Sequence, residues 1–261
     1  MLRTMHELKS YVIGASDGDV GHVSDSFFDD EDWVIRYLVV ETGSWLNSRK
    51  VLISPYAVGD ADWGAHRLPV RISKEQVKNS PDIDTEKPVS RQHEAVYADY
   101  YGYPYYWEGG GYWGGDMYYP TLPLREPSGD NIKGQRHKAT EDPHLRSCQA
   151  VVGYRVHASD GELGHVSSML VDEETWAIRY LVVDTSNWWM GHQVLISPQW
   201  ITGIRWYQSS VDIDLTRENI QGSPVFESSD ALNRQHELDL YRYYDRPNYW
   251  EREKQREFEQ I

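Results

Sequence analysis

The chain has 261 residues, 39% of them hydrophobic, with a formal net charge of -15 and a single cysteine, Cys148. That length and composition support one or two ordinary globular domains, and the acidity argues against unspecific binding to a phosphate backbone. A lone cysteine excludes an intrachain disulfide and a Cys-x-x-Cys metal site.

The first ten residues lack an apolar signal core, and no apolar run reaches the roughly 18–20 residues needed to cross a bilayer, which predicts a soluble protein in a reducing cytoplasm. Asp17-Gly18 is the first turn signal: glycine tolerates positive φ and aspartate bonds the turn backbone, so a hairpin is predicted there. A strand follows over 21–28, then the acidic turn Asp29-Asp30-Glu31-Asp32, predicted to be a solvated hairpin turn rather than a calcium loop because no EF-hand spacing accompanies it. Ile35-Arg36-Tyr37-Leu38-Val39-Val40 is β-branched and aromatic, and neither of its alternating faces is clearly polar. Such a strand belongs at the centre of a sheet, with one face on a core and the other covered by another element. Further strands are predicted over 50–53, 58–63 and 68–72, then an N-capped single turn after Ser73 and a longer helix from about Ser90 that ends at Gly102. His93, Tyr97, Tyr100 and Tyr101 fall on one face of that helix, a natural cover for the central strand.

The same series then recurs. His22 and His165 lie 143 residues apart in identical Gly-His-Val strings, and the offset holds for Asp160-Gly161, Ile178–Val183, Val194–Pro198, Arg234-Gln235-His236-Glu237 and Tyr249-Trp250-Glu251. The second copy repeats the N-capped turn after Thr216 and a longer helix from about Asp230, ended by Pro247, with His236, Leu240, Tyr243 and Tyr244 on one face. Two units, 1–108 and 144–261, are therefore read as a tandem duplication of a self-contained domain. Residues 109–143 between them, rich in Gly, Tyr, Trp and Pro, read as a linker or a partner-binding segment with an r.m.s. span of roughly 30–35 Å if flexible. Five or six short strands in about 65 residues predict a mainly β fold, a small barrel or rolled sheet in each unit, followed by a short helix and a longer C-terminal helix.

The Ser-Asp-Gly, Gly-His-Val, Ile-Arg-Tyr-Leu-Val-Val and Val-Leu-Ile-Ser-Pro strings resemble the PRC-barrel domain, over residues 1–80 and 144–223. That family takes its name from the cytoplasmic domain of the photosynthetic reaction centre H subunit and is similar to the C-terminal domain of a ribosome maturation factor. The Arg-Gln-His-Glu and Tyr-Trp-Glu strings resemble stand-alone bacterial tandem members. The resemblance implies two PRC-type barrels and a non-catalytic module that docks on other proteins. By family analogy alone it also implies an accessory role at a photosynthetic or stress-related membrane complex.

Candidate interaction residues follow from residue type and placement. Trp45, Trp188 and Trp189 sit in loops between apolar strands, where an aromatic either caps a barrel end or presents a hot spot. Arg36 and Arg179 share a strand face with leucine and valine, so each needs a carboxylate or carbonyls if covered, an interdomain salt bridge being one solution. His93 and His236 suggest an acid/base pair with the following glutamate, the basis of a hydrolase reading, or a histidine packed at the seam between helix and barrel. Helix neighbours diverge by about 100°, so the dipeptide is not a chelate. No nucleophile-elbow, Walker or dinucleotide motif is present, and the reading calls for no catalytic residue, metal or cofactor. It calls for an unidentified protein partner, with self-association as a further outcome, and for no direct nucleic-acid contact.

Overall fold

The structure, a computed structural model, describes residues 1–81, 89, 91–107, 145–185, 192–229 and 232–251. In chain order the elements are β1 (Leu2–Thr4), α1 (Met5–Leu8), β2 (Val12–Ala15), β3 (Gly18–Asp29), β4 (Val34–Glu41), β5 (Lys50–Ile53), β6 (Arg67–Pro69), α2 (Lys74–Lys78) and α3 (Arg91–Tyr101). Then come β7 (Leu145–Ser147), α4 (Cys148–Val151), β8 (Arg155–Ala158), β9 (Gly161–Asp172), β10 (Ile178–Asp184), β11 (Gln193–Ile196), β12 (Ile201–Arg205), β13 (Ser210–Ile213), α5 (Arg217–Gln221) and α6 (Arg234–Tyr243). No helix among the described residues is long and apolar enough to cross a membrane.

The chain divides into two compact units, Glu7–Ser147 and Met1–His6 with Cys148–Ile261. The first unit holds a six-stranded sheet in the order β5-β4-β3-β2-β6, with β7 also paired to β3. The second holds a seven-stranded sheet in the order β11-β10-β9-β8-β13-β12, with β1 also paired to β9. The fold is mainly β, as the strand count predicts, but among the described residues no pairing joins the ends of either sheet into the closed barrel expected from the sequence. Each unit also takes in a strand from outside its own repeat: β1 precedes the first repeat's core yet sits in the second unit, and β7 does the converse.

Each two-sided apolar strand is central. β4 lies between β3 and β5 with Val34 to Val40 buried throughout, and β10 lies between β9 and β11 with Ile178 to Val183 buried. The long strands β3 and β9 bend around them through two register shifts at corresponding places, Val23/Asp25 with Phe27/Phe28 in one and the steps at Val182/Val183 and Ile178/Tyr180 in the other. Such bulges let a twelve-residue strand follow a curved core. Ser24 and Ser167, at the bulge, donate to the carbonyls of Val39 and Val182 at 3.2 and 3.1 Å.

The helices cover the sheets with part of the expected stripes: Tyr97, Tyr101, Leu240 and Tyr244 are buried, whereas His93, His236 and Tyr243 are exposed. Tyr97 is buried, donates its hydroxyl to the Leu52 carbonyl at 2.7 Å and packs edge-on against Tyr37 with centroids 5.1 Å apart. In the second unit Tyr241 takes that place, 6.3 Å from Tyr180 and 5.6 Å from Trp200. Ser73 and Thr216 each form a capping box. α3 ends at Gly102 in the left-handed region, φ 70°, and α6 ends with Asp245 in the corresponding place at φ 50°, two residues before Pro247. α6 begins at Arg234, capped by Asn233, rather than near Asp230, which with Ser90 lies outside the described residues.

Two expectations change. The strand expected over 58–63 is reduced to single bridges, Val58 with Val70 and Asp62 with Arg67, whereas its counterpart forms the full strand β12. The first copy carries Gly59-Asp60-Ala61-Asp62 where the second carries Thr202-Gly203-Ile204-Arg205, and Gly, Asp and Ala are poor strand formers. The aspartate of each Asp-Gly hairpin turns outward to cap a helix: Asp17 Oδ1 accepts from the Lys74 amide at 2.7 Å and Asp160 Oδ1 from the Arg217 amide at 2.8 Å.

The Gly-His-Val strings owe their form to the glycine. A Cβ on Gly21 would stand 2.0 Å from the Glu41 carbonyl oxygen, and one on Gly164 would stand 2.0 Å from that of Asp184. His22, by contrast, has a side chain 51% exposed. Gly21→Ala is expected to cost roughly 2–4 kcal/mol because the obstruction is backbone, while His22→Ala should stay within about 0.5 kcal/mol. Urea unfolding of the two variants checks this, and a Gly21→Ala midpoint equal to wild type would contradict the close approach.

Candidate interaction site

Arg36 on β4 and Arg179 on β10 are buried, Arg36 to 1% exposure. A guanidinium withdrawn from water needs acceptors and a polarisable surface, and each unit supplies both from its own residues. Arg36 Nη2 lies 2.9 Å from Asp32 and 3.6 Å from Asp29, with its guanidinium carbon 3.9 Å from the centre of the Tyr106 ring. Arg179 lies 3.3 Å from Asp172, donates to the Thr175 hydroxyl at 3.2 Å and stacks 4.1 Å from the Tyr249 ring centre. These ion pairs are local: each arginine finds the carboxylate it needs in the turn that precedes its own strand. That turn is not simply solvated: Asp29 is buried and its Oδ1 accepts from the Glu31 amide at 2.9 Å.

The tyrosines that stack on the arginines are held in turn by buried carboxylates. Tyr249 and Tyr180 both donate to Glu237 Oε1 at 3.0 Å, and Arg234 reaches Glu237 Oε2 at 3.1 Å while its guanidinium lies 4.2 Å from the Trp250 ring centre. In the first unit Tyr106 donates to Glu94 Oε2 at 2.5 Å. Burial pushes the Glu237 carboxyl above the usual glutamate range, with Arg234, the two phenols and Arg179 pulling the other way. Burial likewise pushes the Tyr180 phenol well above its ordinary value. The Arg-Gln-His-Glu and Tyr-Trp strings are thus two halves of one fastening: a glutamate on the helix, a tyrosine on the tail and an arginine on the central strand.

In these strings the structure buries the residue after the histidine. His93 and His236 are exposed, whereas Glu94 and Glu237 are buried. On each helix the histidine is thus on the exposed side and the glutamate on the side that faces the sheet. The i, i+3 spacing of Arg234 and Glu237 and the recurrence of Tyr106 as Tyr249 were the signals available for finding the fastening.

Trp45 is half-buried, donates its indole N–H to the Val20 carbonyl at 2.6 Å and carries the Lys74 ammonium 4.4 Å from its ring centre. With Asp17, Lys74 and Glu75 it lines an open, largely polar depression beside α2. Trp188 and Trp189 lie outside the described residues. Among the described residues no cluster of His, Cys, Asp or Glu is assembled to hold a metal.

The second unit does present a groove of about 330 Å³ between β11, the segment after α5 and the start of α6. Leu195, Val225, Phe226 and Leu240 form its apolar lining, and His236 and Asp239 stand among its polar groups. The Phe226 amide donates to the Gln193 carbonyl at 2.8 Å, which fixes one wall to the edge of β11, and Val225 is 44% exposed.

Against known families, residues 8–77 are a PRC-barrel domain. The match runs from the end of α1 to the end of α2, so it includes Arg36 and the Asp29–Asp32 turn and leaves Glu94, Tyr106 and the whole of the second unit outside. No curated protein matches the chain.

An acid whose pKa is raised by folding is penalised when it ionises, so the stability it withholds at neutral pH returns as pH falls through that raised pKa toward the unfolded value. Wild type should therefore gain stability relative to Glu237→Gln as pH is lowered from 7, opposite to the trend for an ordinary paired carboxylate. Glu237→Ala, which strands two phenol donors, should cost roughly 2–4 kcal/mol at neutral pH. Urea unfolding of the three proteins across a pH series measures both effects, and a wild-type advantage that shrinks on acidification would refute the assignment.

Proposed function

We propose that the chain is a tandem PRC-barrel protein that works as a non-catalytic interaction or scaffold module, binding an apolar side chain of a protein partner in the groove of its second unit. The observation that carries this reading is the groove itself: an apolar lining of Leu195, Val225, Phe226 and Leu240 with His236 and Asp239 beside it is the arrangement that accepts a hydrophobic anchor and orients the chain around it. The 143-residue offset supports the tandem assignment, since the second repeat has the Asp-Gly turn, the central strand and the capping box of the matched domain at corresponding places. The buried charges support a non-catalytic role, because Arg36, Arg179, Glu94 and Glu237 are engaged in packing helix and tail onto the sheet.

Val225→Asp places a charge in the groove at a half-exposed position and leaves the core untouched. It should reduce retention of the specific partner set at least tenfold in quantitative native affinity purification, with elution volume and circular dichroism equal to wild type. Retention of the same proteins by both forms, or of nothing above background by wild type, would sink the proposal.

A further inference from the structure

Each long strand has one edge that its own repeat fills in part. β9 gives one edge to β10 over His165 to Val171, and gives the other to β8 over Gly161 to His165. Beyond His165 that second edge is taken by β1, in the register Leu2 with Asp172, Arg3 with Val171 and Thr4 with Leu170. β3 repeats the arrangement, with β2 reaching His22 and then β7 pairing Ser147 with Phe27, Arg146 with Phe28 and Leu145 with Asp29. Every one of these positions is displaced by the same 143 residues from its counterpart.

The side chains follow the same rule. Arg3 Nε lies 2.6 Å from Glu173 Oε1, and Arg146 Nε lies 2.8 Å from Asp30 Oδ2. Both pairs are largely shielded, with side-chain exposures of 22 and 12% in one and 18 and 14% in the other. Ser147 adds a hydrogen bond to Asp25 at 2.5 Å. An open sheet edge is a template for any extended segment, and here the register and the arginine select what fills it.

We infer that the edges over Phe27–Asp29 and Leu170–Asp172 are docking surfaces for a short Leu-Arg-Ser/Thr arm, and that the occupant of each is the leading strand of the other repeat. The two halves of the chain are then fastened by reciprocal strand exchange rather than by residues 109–143 alone. The two arms and the two edges are chemically equivalent, so a repeat paired to its own arm would match Arg3 with Asp30. Exchange matches Arg3 with Glu173. The inference stands apart from the groove and survives or fails independently of it.

The full chain, with a site-specific protease sequence inserted in the Gly109–Gly111 run, tests this. After cleavage the wild-type halves should co-elute at the mass of the uncut chain at micromolar concentration. Arg3→Glu with Arg146→Glu should weaken association of the cut halves at least tenfold, and adding Glu173→Arg with Asp30→Arg should restore it. Arg3→Glu alone should be rescued by Glu173→Arg and not by Asp30→Arg. Separation of the wild-type halves, association unaffected by the arginine reversals, no recovery on charge swap, or rescue by Asp30→Arg in place of Glu173→Arg would each overturn the exchange.

Discussion

A buried guanidinium in the middle of an apolar strand is the constraint from which the rest of each unit follows. β4 and β10 are covered on both faces, and each carries one arginine that cannot reach bulk water. Removing such a charge from water costs several kcal/mol unless acceptors and a π-surface replace the hydration shell. The acidic turn immediately before the strand supplies the acceptors, and a tyrosine from beyond the helix supplies the surface. The tyrosine can lie flat on the arginine because a glutamate on the helix holds its hydroxyl. Strand, turn, helix and tail are thereby tied through one cation, which explains why the sequence repeats residues so far apart as a set.

The two copies solve this problem with different emphasis. In the second unit Glu237 receives two phenols and an Arg234 that itself lies against Trp250, a dense network in which every member polarises its neighbours. In the first, Tyr37 packs against Tyr97 and the tyrosines cluster among themselves, with Tyr101 and Tyr103 stacked 5.3 Å apart. The second sheet also gains the full pair β12 and β13 where the first has Gly59, Asp60 and Ala61. Among the described residues the two sheets differ at this end, while the arginine, its turn and the glycine beneath β4 or β10 recur at corresponding places.

Local chemistry made the central strands, the Asp-Gly turns, the capping boxes and the aromatic helix face legible from the sequence, since each is decided by residues within one or two turns of each other. The fastening was legible only in pieces. His93 and His236 stand out by residue type, whereas the glutamate one position later is the residue facing the sheet, and no periodicity short of the fold pairs it with Tyr106 or Tyr249. Asp29 was read as solvent-facing because four consecutive acids look like a solvated turn; the buried arginine seven residues on reverses that reading for the first of them. The pairing of Arg3 with Glu173 spans 170 residues, and nothing in composition or spacing announces it.

That separation has a consequence for how the chain completes itself. β7 closes onto β3 across about 116 residues, as Arg146 meets Asp30, and it lies at the end of the first unit, so that unit can be finished as soon as Ser147 is available. The second unit takes in Met1–His6, the earliest part of the chain, which pairs with β9 across about 170 residues. Contacts of such long range form late, because the loop entropy must be spent before the pairing returns it. The edge of β9 over Leu170–Asp172 and the edge of β3 over Phe27–Asp29 are equivalent, with Glu173 beside the first where Asp30 stands beside the second. Duplication thus supplies two equivalent arms and two equivalent edges, and each edge holds the arm of the other repeat.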